Sequence, residues 1–442
     1  MRIIDINDIE VRVFDDDTLV ASSPGYVTAD GKTPIVGVES ARQAKVRPLD
    51  TESRFWERLS RDVLERPSRI AKYQADLAYI HLEHLLQSLK SSEDTVFSVP
   101  GDWNRDQVAL LLGIAKALRI PSRAAVDAGL AAAIKAAPGR VLLHLDLHLH
   151  RTILTELSQG PSLERVRVVT EPNVGLLRVH DAWAHEIAAR FVSHTRFDPM
   201  DHAVTEQALF DQLGQWTDAL THEEEIPLSL NHAGKSFEST LRRAELIQSA
   251  RAHLVSLVTL VADTLDDRGA ACLLLSDRAA AIPGLRSAME EIPQCEVRTL
   301  EPCDTARGAR RILIERGDDS TIPYIIKKPW LSRTELERHQ AAVQSGARPV
   351  ATHWLHAGVA QPLTSGGLAL NGNRSVRFTQ ENSQVSIADQ PPRISPAGNH
   401  TLTFNGKTLQ SEQPLFAGDR LRWPDGQEVA FIMVEHDGAT TH

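Results

Sequence analysis

The chain has little cysteine, few aromatic residues and no long apolar run. Its three cysteines, Cys272, Cys295 and Cys303, are an odd number whose spacings fit neither a disulfide framework nor a zinc ribbon, which predicts a reducing compartment. No stretch approaches the roughly 20 apolar residues of a membrane-spanning helix, so no span is expected. The opening, MRIIDINDIEVRVF, carries acidic residues where a secretory leader has its apolar core, and the expected location is cytoplasmic. Basic charge is also in deficit, with 48 Lys and Arg against 58 Asp and Glu and a formal net charge of −10. Nucleic acid, whose phosphates require clustered cations, is therefore not an expected partner, whereas proteins or small molecules are. What is present is a 442-residue chain, 42% apolar, with enough mass for two or three cored domains.

The pattern along the chain is α/β. RIIDI, IEVRVF and TLVASS read as paired strands around a turn at Asp15-Asp16-Asp17, with Ile9, Val11 and Val13 on one side and Glu10 and Arg12 on the other. The unit recurs in VLLHLDLHLHRTILTEL, followed after SQGPS by ERVRVV. Ile4-Asp5-Ile6 matches Leu145-Asp146-Leu147, so the two stretches read as copies of one meander. TVFSVP reads as a strand, while NRDQVALLLGIAKALRI and ALRIPSRAAVDAGLAAAIKAA read as helices. Residues from about Trp183 to Leu265 read as mostly helical, interrupted by a hairpin at EIPLSL and KSFES. ACLLLS reads as a buried strand, with a helix beginning near IPGLRSAMEEI. A polar helix is expected over 331–349, and a small β domain over 350–442, where Asn405-Gly406 is a hairpin signal.

HLDLHLH, from His144 to His150, draws attention because strand alternation would put His144, Asp146, His148 and His150 on one face and Leu145, Leu147 and Leu149 on the other. Imidazoles with a carboxylate suit a transition metal. Four alternate residues, however, extend over about 20 Å, so a single ion could take two of them at most. Polar lining of a cleft is the favoured reading, and no metal is expected.

The order and spacing of these pieces resemble the actin-like ATPase superfamily, most closely the nucleotide-binding domain of the seventy-kilodalton heat-shock chaperones, over roughly residues 1–315. SSPGYVTADGKTPIVGVESARQA resembles that family's stretch after the first hairpin. VPGDWNRDQ resembles its next strand and helix through Val99, Pro100, Asn104 and Gln107, and LLLSDRAAAIPGLRSAM sits where the family has V-G-G-X-X-R-X-P. LEPCDTARGA resembles its N-P-D-E-A-V-A-X-G-A through Pro302, Asp304, Ala306 and Gly308. The resemblance implies a duplicated two-lobed fold, with lobe I at about 1–138 and lobe II at about 139–330.

It also implies a nucleotide cleft whose motifs have changed here. Phosphate loops use glycine so that backbone N–H groups can approach oxygen closely. The first loop reads Asp5-Ile6-Asn7-Asp8 where the family has D-L-G-T-T, and Asp8 would repel a phosphate. The second reads Asp146-Leu147-His148-Leu149-His150-Arg151 where the family has D-L-G-G-G-T, so the histidines would fill the phosphate volume. The adenosine-side Gly-Gly falls on Asp277-Arg278, the Glu-X-X-Lys pair on Gly214 and Thr217, and a family glutamate on Ala128. Asp5 and Asp146, which in the family help to hold the magnesium's water shell, remain as remnants or solvated carboxylates facing the cleft.

The C-terminal LFAGDRLRW resembles an edge of the forkhead-associated β-sandwich, which reads phosphothreonine. GNRSVRF supplies Gly372, Arg374 and Ser375, but the family's Ser-Arg-X-X-His loop is missing. HAGKS, at 232–236, lacks the upstream glycine of a phosphate-binding loop. Glu223-Glu224-Glu225 reads as a solvated loop and Cys272 as a packed strand residue. The expectation is an inactive pseudo-ATPase that binds proteins, with no catalytic residue and no cofactor. The alternatives are an ATP- and Mg-binding ATPase with altered loops, and a metalloprotein built on the histidine strand.

Overall fold

The chain divides into two units, Met1–Trp330 and Leu331–His442. The computed structural model describes residues 1–29, 33–87, 89, 93–133, 141–159, 162–265, 270–316 and 323–329. In the second unit it describes 351, 353–356, 359–363, 368–370, 373–379, 393–396, 402–411, 413–416, 418–424 and 428–432. The first unit is mixed α/β and the described part of the second is all strands, as the sequence predicted. The polar helix expected over 331–349 lies outside the described residues, as does Gly372.

The first unit opens with the meander β1 (Arg2–Asp5), β2 (Val11–Asp15) and β3 (Thr18–Ser23), and Asp16 takes up a positive φ of 54° at the Asp-rich turn. The short strands β4 (Val27–Thr28), β5 (Ile35–Val36) and β6 (Thr51–Glu52) form a sheet of their own beside helix α1 (Val38–Ala41). After α2 (Gln74–Leu86) come β7 (Thr95–Val99), α3 (Arg105–Ala117), β8 (Ser122–Asp127) and α4 (Ala128–Ala132). Asn104 begins α3 with a capping box: its side chain accepts from the Gln107 N–H, and the Gln107 side chain accepts from the Asn104 N–H.

The second half begins with another meander, β9 (Val141–Leu147), β10 (Thr152–Gln159) and β11 (Ser162–Glu171). Helices α5 (Leu176–Thr195) and α6 (Ala203–His222), the hairpin β12 (Glu225–His232) and β13 (Lys235–Arg242), and α7 (Arg243–Ser249) and α8 (Arg251–Leu265) follow. Ile226, Leu228 and Leu230 alternate inward along β12, and HAGKS is the hairpin turn, with Ala233 and Gly234 at φ of 49° and 76°. Glu225, read as part of a loop, starts β12 instead. The half closes with β14 (Ala271–Leu275), α9 (Asp277–Ala280), α10 (Leu285–Glu290), β15 (Cys295–Thr299) and α11 (Asp304–Arg316), followed by β16 (Tyr324–Ile325) and β17 (Lys327–Pro329).

The two large sheets run β16-β8-β7-β1-β2-β3 and β15-β14-β9-β10-β11-β17. In each, a meander continues through parallel neighbours: β7 beside β1 and β8 beside β7, then β14 beside β9 and β15 beside β14. The sheets thus share one internal strand order. Three apolar clusters fill the unit. One lies against the first sheet around Phe55, Trp56 and Leu82, and another lies against the second sheet around Trp183, Phe191 and Leu257. The third joins the sheets, because Ile3 and Phe14 share it with Leu142, Leu157 and Leu274 through residues of α4 and α11. Each fully buried Leu or Ile contributes roughly 1.5–3 kcal/mol, so the shared cluster resists separation of the halves. Gly308 on α11 lies so close to α4 that an added Cβ would stand 1.9 Å from the Ala131 carbonyl oxygen.

Three local expectations are corrected. SRAAVD is strand β8 and not helix: Pro121 precedes it, and pairing with β7 and β16 overrides its alanine content. Strand β9 ends at Leu147, so His148 and His150 are turn residues and not alternate members of a strand face. The segment 324–329 serves both sheets, β16 extending the first and β17 the second, which departs from a single division at 138/139.

In the second unit the strands are β18 (His353–His356), β19 (Val359–Pro362), β20 (Leu368–Leu370), β21 (Asn373–Thr379), β22 (Arg393–Pro396), β23 (Thr403–Phe404), β24 (Lys407–Thr408), β25 (Gln413–Pro414), β26 (Arg420–Arg422) and β27 (Glu428–Ile432). They form sheets ordered β19-β18-β27-β26-β23-β24 and β20-β21-β22-β25, with a core around Ile394, Leu415, Leu421 and Phe431. Asn405 and Gly406, at φ of 50° and 80°, form the tight turn between β23 and β24.

Candidate functional site at the meeting of two hairpin turns

The ends of β1 and β9 and the turns after them carry most of the residues singled out from the sequence, and they bond to each other. The Asn7 side-chain amide donates to Asp146 Oδ2 at 3.2 Å and to the Leu147 carbonyl at 2.9 Å. Its own oxygen accepts from the Ile9 N–H, which fixes the first turn. Asp8 is buried, and its Oδ1 accepts from the Leu149 N–H at 2.7 Å and from His148 Nδ1 at 3.2 Å. The other edge of the His148 ring faces Asp146 Oδ2 at 3.3 Å. One imidazole thus stands between a carboxylate from each half of the unit, hydrogen-bonded to Asp8 and in ion-pair contact, without hydrogen-bond geometry, with Asp146.

Burial opposes ionisation of all three groups, but their mutual attraction exceeds it. For Asp8, the bond and charge of His148, together with Arg151 and the Leu149 N–H, hold the carboxyl down at about 2. Burial and the Arg151 charge press His148 downward, yet Asp146 and Asp8 raise it to about 9. Asp146 is held well below the usual carboxylate range by His148, Arg278 and His144 against the effect of burial. At neutral pH the bridge is therefore carboxylate, imidazolium, carboxylate. His144, by contrast, is depressed mainly by burial, and its Nε2 has no hydrogen-bond partner among the described residues.

The second turn is built to receive this contact. The His148 N–H donates to the Arg151 carbonyl at 2.9 Å and closes the loop. The N–H groups of Leu176 and Leu177 in the first turn of α5 donate to the carbonyls of His148 and Leu149. Free N–H groups at a helix start commonly attract anions; these two are taken by the turn itself. Gly175 permits the approach, since a Cβ there would stand 2.4 Å from the His150 carbonyl carbon. Arg151 donates through Nε and Nη2 to Asp102 at 2.6 and 3.1 Å, and its Nη1 lies 3.5 Å from Asp8. His150 turns toward Ser53, with Nε2 3.0 Å from the hydroxyl, outside the bridge.

A second cation completes the network. Arg278 on α9 is buried and donates through Nη2 to Asp5 Oδ2 and to the Glu10 carbonyl, each at 2.9 Å. Burial alone would weaken its charge, but Asp5, Asp146 and Asp277 strengthen it. Arg12 pairs with Asp277 at 2.7 Å and with Glu10 at 2.6 Å. Asp5 and Asp146 are therefore buried and compensated, which sets aside the second of the two readings given for them, solvated carboxylates. Gly214 and Thr217 do not join the network: both lie on α6, where the Thr217 hydroxyl donates within its own helix. Ala128 is the first residue of α4.

Two further ties went unread in the sequence. Lys45 pairs with Glu206 at 3.1 Å and Asp181 at 3.5 Å and lies 3.7 Å over the Phe210 ring, while its N–H donates to the Gln207 side chain. Arg165 on β11 donates to the Gly101 carbonyl, to Asp127 and to the Tyr324 hydroxyl at 2.7 to 2.9 Å. No local signal marks Asp102, Lys45 or Arg165. Arg278 was singled out in the sequence, as a cation standing where the resemblance expects glycine, but its pairing with Asp5 was not.

Among the described residues no three His, Cys, Asp or Glu side chains form a group able to hold a metal ion, and no helix is long and apolar enough to cross a membrane. No protein-family model matches the chain, and no curated protein matches it significantly in sequence.

Proposed function

We propose that the chain is a catalytically inactive, actin-like pseudo-ATPase of the heat-shock-chaperone type that works by binding proteins. The reading is carried by one observation: the two turns that would face a nucleotide's phosphates in that family are bonded to each other through Asn7, Asp8, Asp146 and His148. The shared strand order of the two large sheets supports a duplicated fold of this kind. ATP with Mg²⁺ does not fit these residues. The buried Asp8 carboxylate would oppose a phosphate oxygen, and Arg278 already neutralises Asp5, the carboxylate a magnesium shell would use. Transition-state charge in phosphoryl transfer needs preorganised donors and cations at the phosphates. Here the Leu149 N–H, His148 and Arg151 are directed at Asp8 instead. The C-terminal strands support a forkhead-associated-like sandwich as a second binding module in a cytoplasmic protein.

The test is thermal unfolding with millimolar ATP and ADP, with and without Mg²⁺, beside titration calorimetry. A ligand at a hundred times its dissociation constant adds about 2.7 kcal/mol of stability, a shift of a few degrees. The expected result is no shift and no heat. A saturable shift would overturn the reading in favour of an ATPase with altered loops.

A further inference from the structure

Residues 45–72 are basic within an acidic chain, with eight Lys and Arg against five Asp and Glu. Arg61, Arg66, Arg69 and Lys72 are exposed and have no side-chain hydrogen bond or ion pair with any described residue. Arg66, Arg69 and Lys72 surround a depression of 820 Å³ that also contains Leu49, Leu64 and Pro67. Leu64 is buried in its floor, whereas Leu49 is 60% exposed. Two acids also line the groove, fewer than its three cations: Asp50, which lies 3.5 Å from Arg47, and Glu52, whose carboxyl is pushed up by burial and the Glu65 charge and pulled down by Arg58.

The frame that presents these cations is prearranged. Val63 pairs with Tyr73 as an antiparallel bridge, and the Leu64 N–H donates to the Lys72 carbonyl at 2.9 Å. Ser68 Oγ accepts from the N–H groups of Ile70 and Ala71, closing the tip. A loop ordered by its own bonds loses little freedom when it is occupied. Val63 and Tyr73 add exposed apolar surface, 62% and 41% accessible, beside the groove. Exposed apolar patches rimmed by polar residues mark interaction sites.

We infer that this groove binds an acidic protein segment carrying a large apolar side chain, with its carboxylates on Arg66, Arg69 and Lys72 and its apolar residue among Leu49, Leu64 and Pro67. Charge complementarity selects an acidic partner, and the apolar floor selects a peptide over a small anion. The inference rests on the protein-binding half of the proposed function and is independent of its nucleotide-silent half.

Fluorescence anisotropy of the full chain with three labelled twelve-residue peptides tests it: one of Asp and Glu with leucines, its counterpart with Lys for the acids, and its counterpart with Ser for the leucines. The acidic leucine peptide is expected to bind saturably and the other two far more weakly. The triple variant R66E/R69E/K72E should weaken it at least about tenfold, and Leu49→Ser severalfold, at unchanged melting temperature. If charge reversal lowers that temperature, the triple glutamine variant takes its place. No saturable binding, equal binding of the lysine peptide, or full binding by the triple variant would overturn the inference. Equal binding of the serine peptide, displaced by inorganic phosphate beyond the effect of matched NaCl, would overturn it in favour of an anion site. A chain that binds ATP and also this peptide would lose the pseudo-ATPase reading and keep the groove, and the opposite pattern would remove only the groove.

Discussion

Stability should fall as pH rises through the alkaline range, because His148 is charged inside the protein. The imidazole is 1% exposed, 3.2 Å from Asp8 and 3.3 Å from Asp146, and its pKa is raised from 6.5 to about 9. A group with a raised folded pKa contributes its full stabilisation below the unfolded value of 6.5, and that contribution disappears as pH climbs through about 9. Asp8, held down at about 2, has the opposite sign: its contribution is intact above the model-peptide value of 3.8 and fades as pH falls toward 2. Both are fully present near pH 5 to 6. Each tenfold change in proton affinity is worth about 1.4 kcal/mol, so deprotonating His148 removes about 3 kcal/mol. His148→Gln keeps much of the side-chain volume and lacks the charge. Urea unfolding of both proteins at pH 6, 7.5 and 9.5, followed by helical circular dichroism, isolates the effect, since every described helix lies in the first unit. The wild type should exceed the variant by about 3 kcal/mol at pH 6 and by under about 1 kcal/mol at pH 9.5. A difference that stays constant across that range would refute the charged bridge.

Arg278→Met should destabilise the protein by about 3–5 kcal/mol, because it leaves Asp5 buried without its cation; adding Asp5→Leu should recover more than half of the loss, read from a double-mutant cycle of unfolding free energies. Two glycine substitutions should act in opposite directions in the same assay. Gly308→Ala drives a methyl into the Ala131 carbonyl at 1.9 Å and should cost about 1–3 kcal/mol, whereas Gly214→Ala, on an exposed helical position with nothing within 4 Å, should stabilise by about 0.5–1 kcal/mol.

The meanders were legible because a period of two and an Asp-rich turn are local properties, and β1, β2 and β3 lie where RIIDI, IEVRVF and TLVASS indicated. SRAAVD was not legible, since only its place between β7 and β16 makes an alanine-rich stretch a strand. Asn7, Asp8, Asp146 and His148 were identified by their positions in two loops, but not what they do to one another. Asp8 and His148 are 140 residues apart and Arg278 and Asp5 are 273 apart, and pairing at such range leaves no periodic trace in the sequence. The strand reading of His148 and His150 failed because β9 stops where His148 begins to bond back to Arg151, and alternation in leucine continues one step past the strand.

The strip Tyr324–Pro329 also sets an order in time. During synthesis β8 leaves the ribosome long before its neighbour β16, and β11 before β17. At 5–20 residues per second, the roughly 200 residues between β8 and β16 take on the order of 10–40 s to appear. Through that interval the first sheet has an unpaired margin at β8, and a nascent chain is open there to pairing with the wrong strand. The last residues of the unit are thus those that finish its first sheet, and ribosome-stalled chains ending before Tyr324 should be more easily cleaved by protease than chains that have passed Pro329.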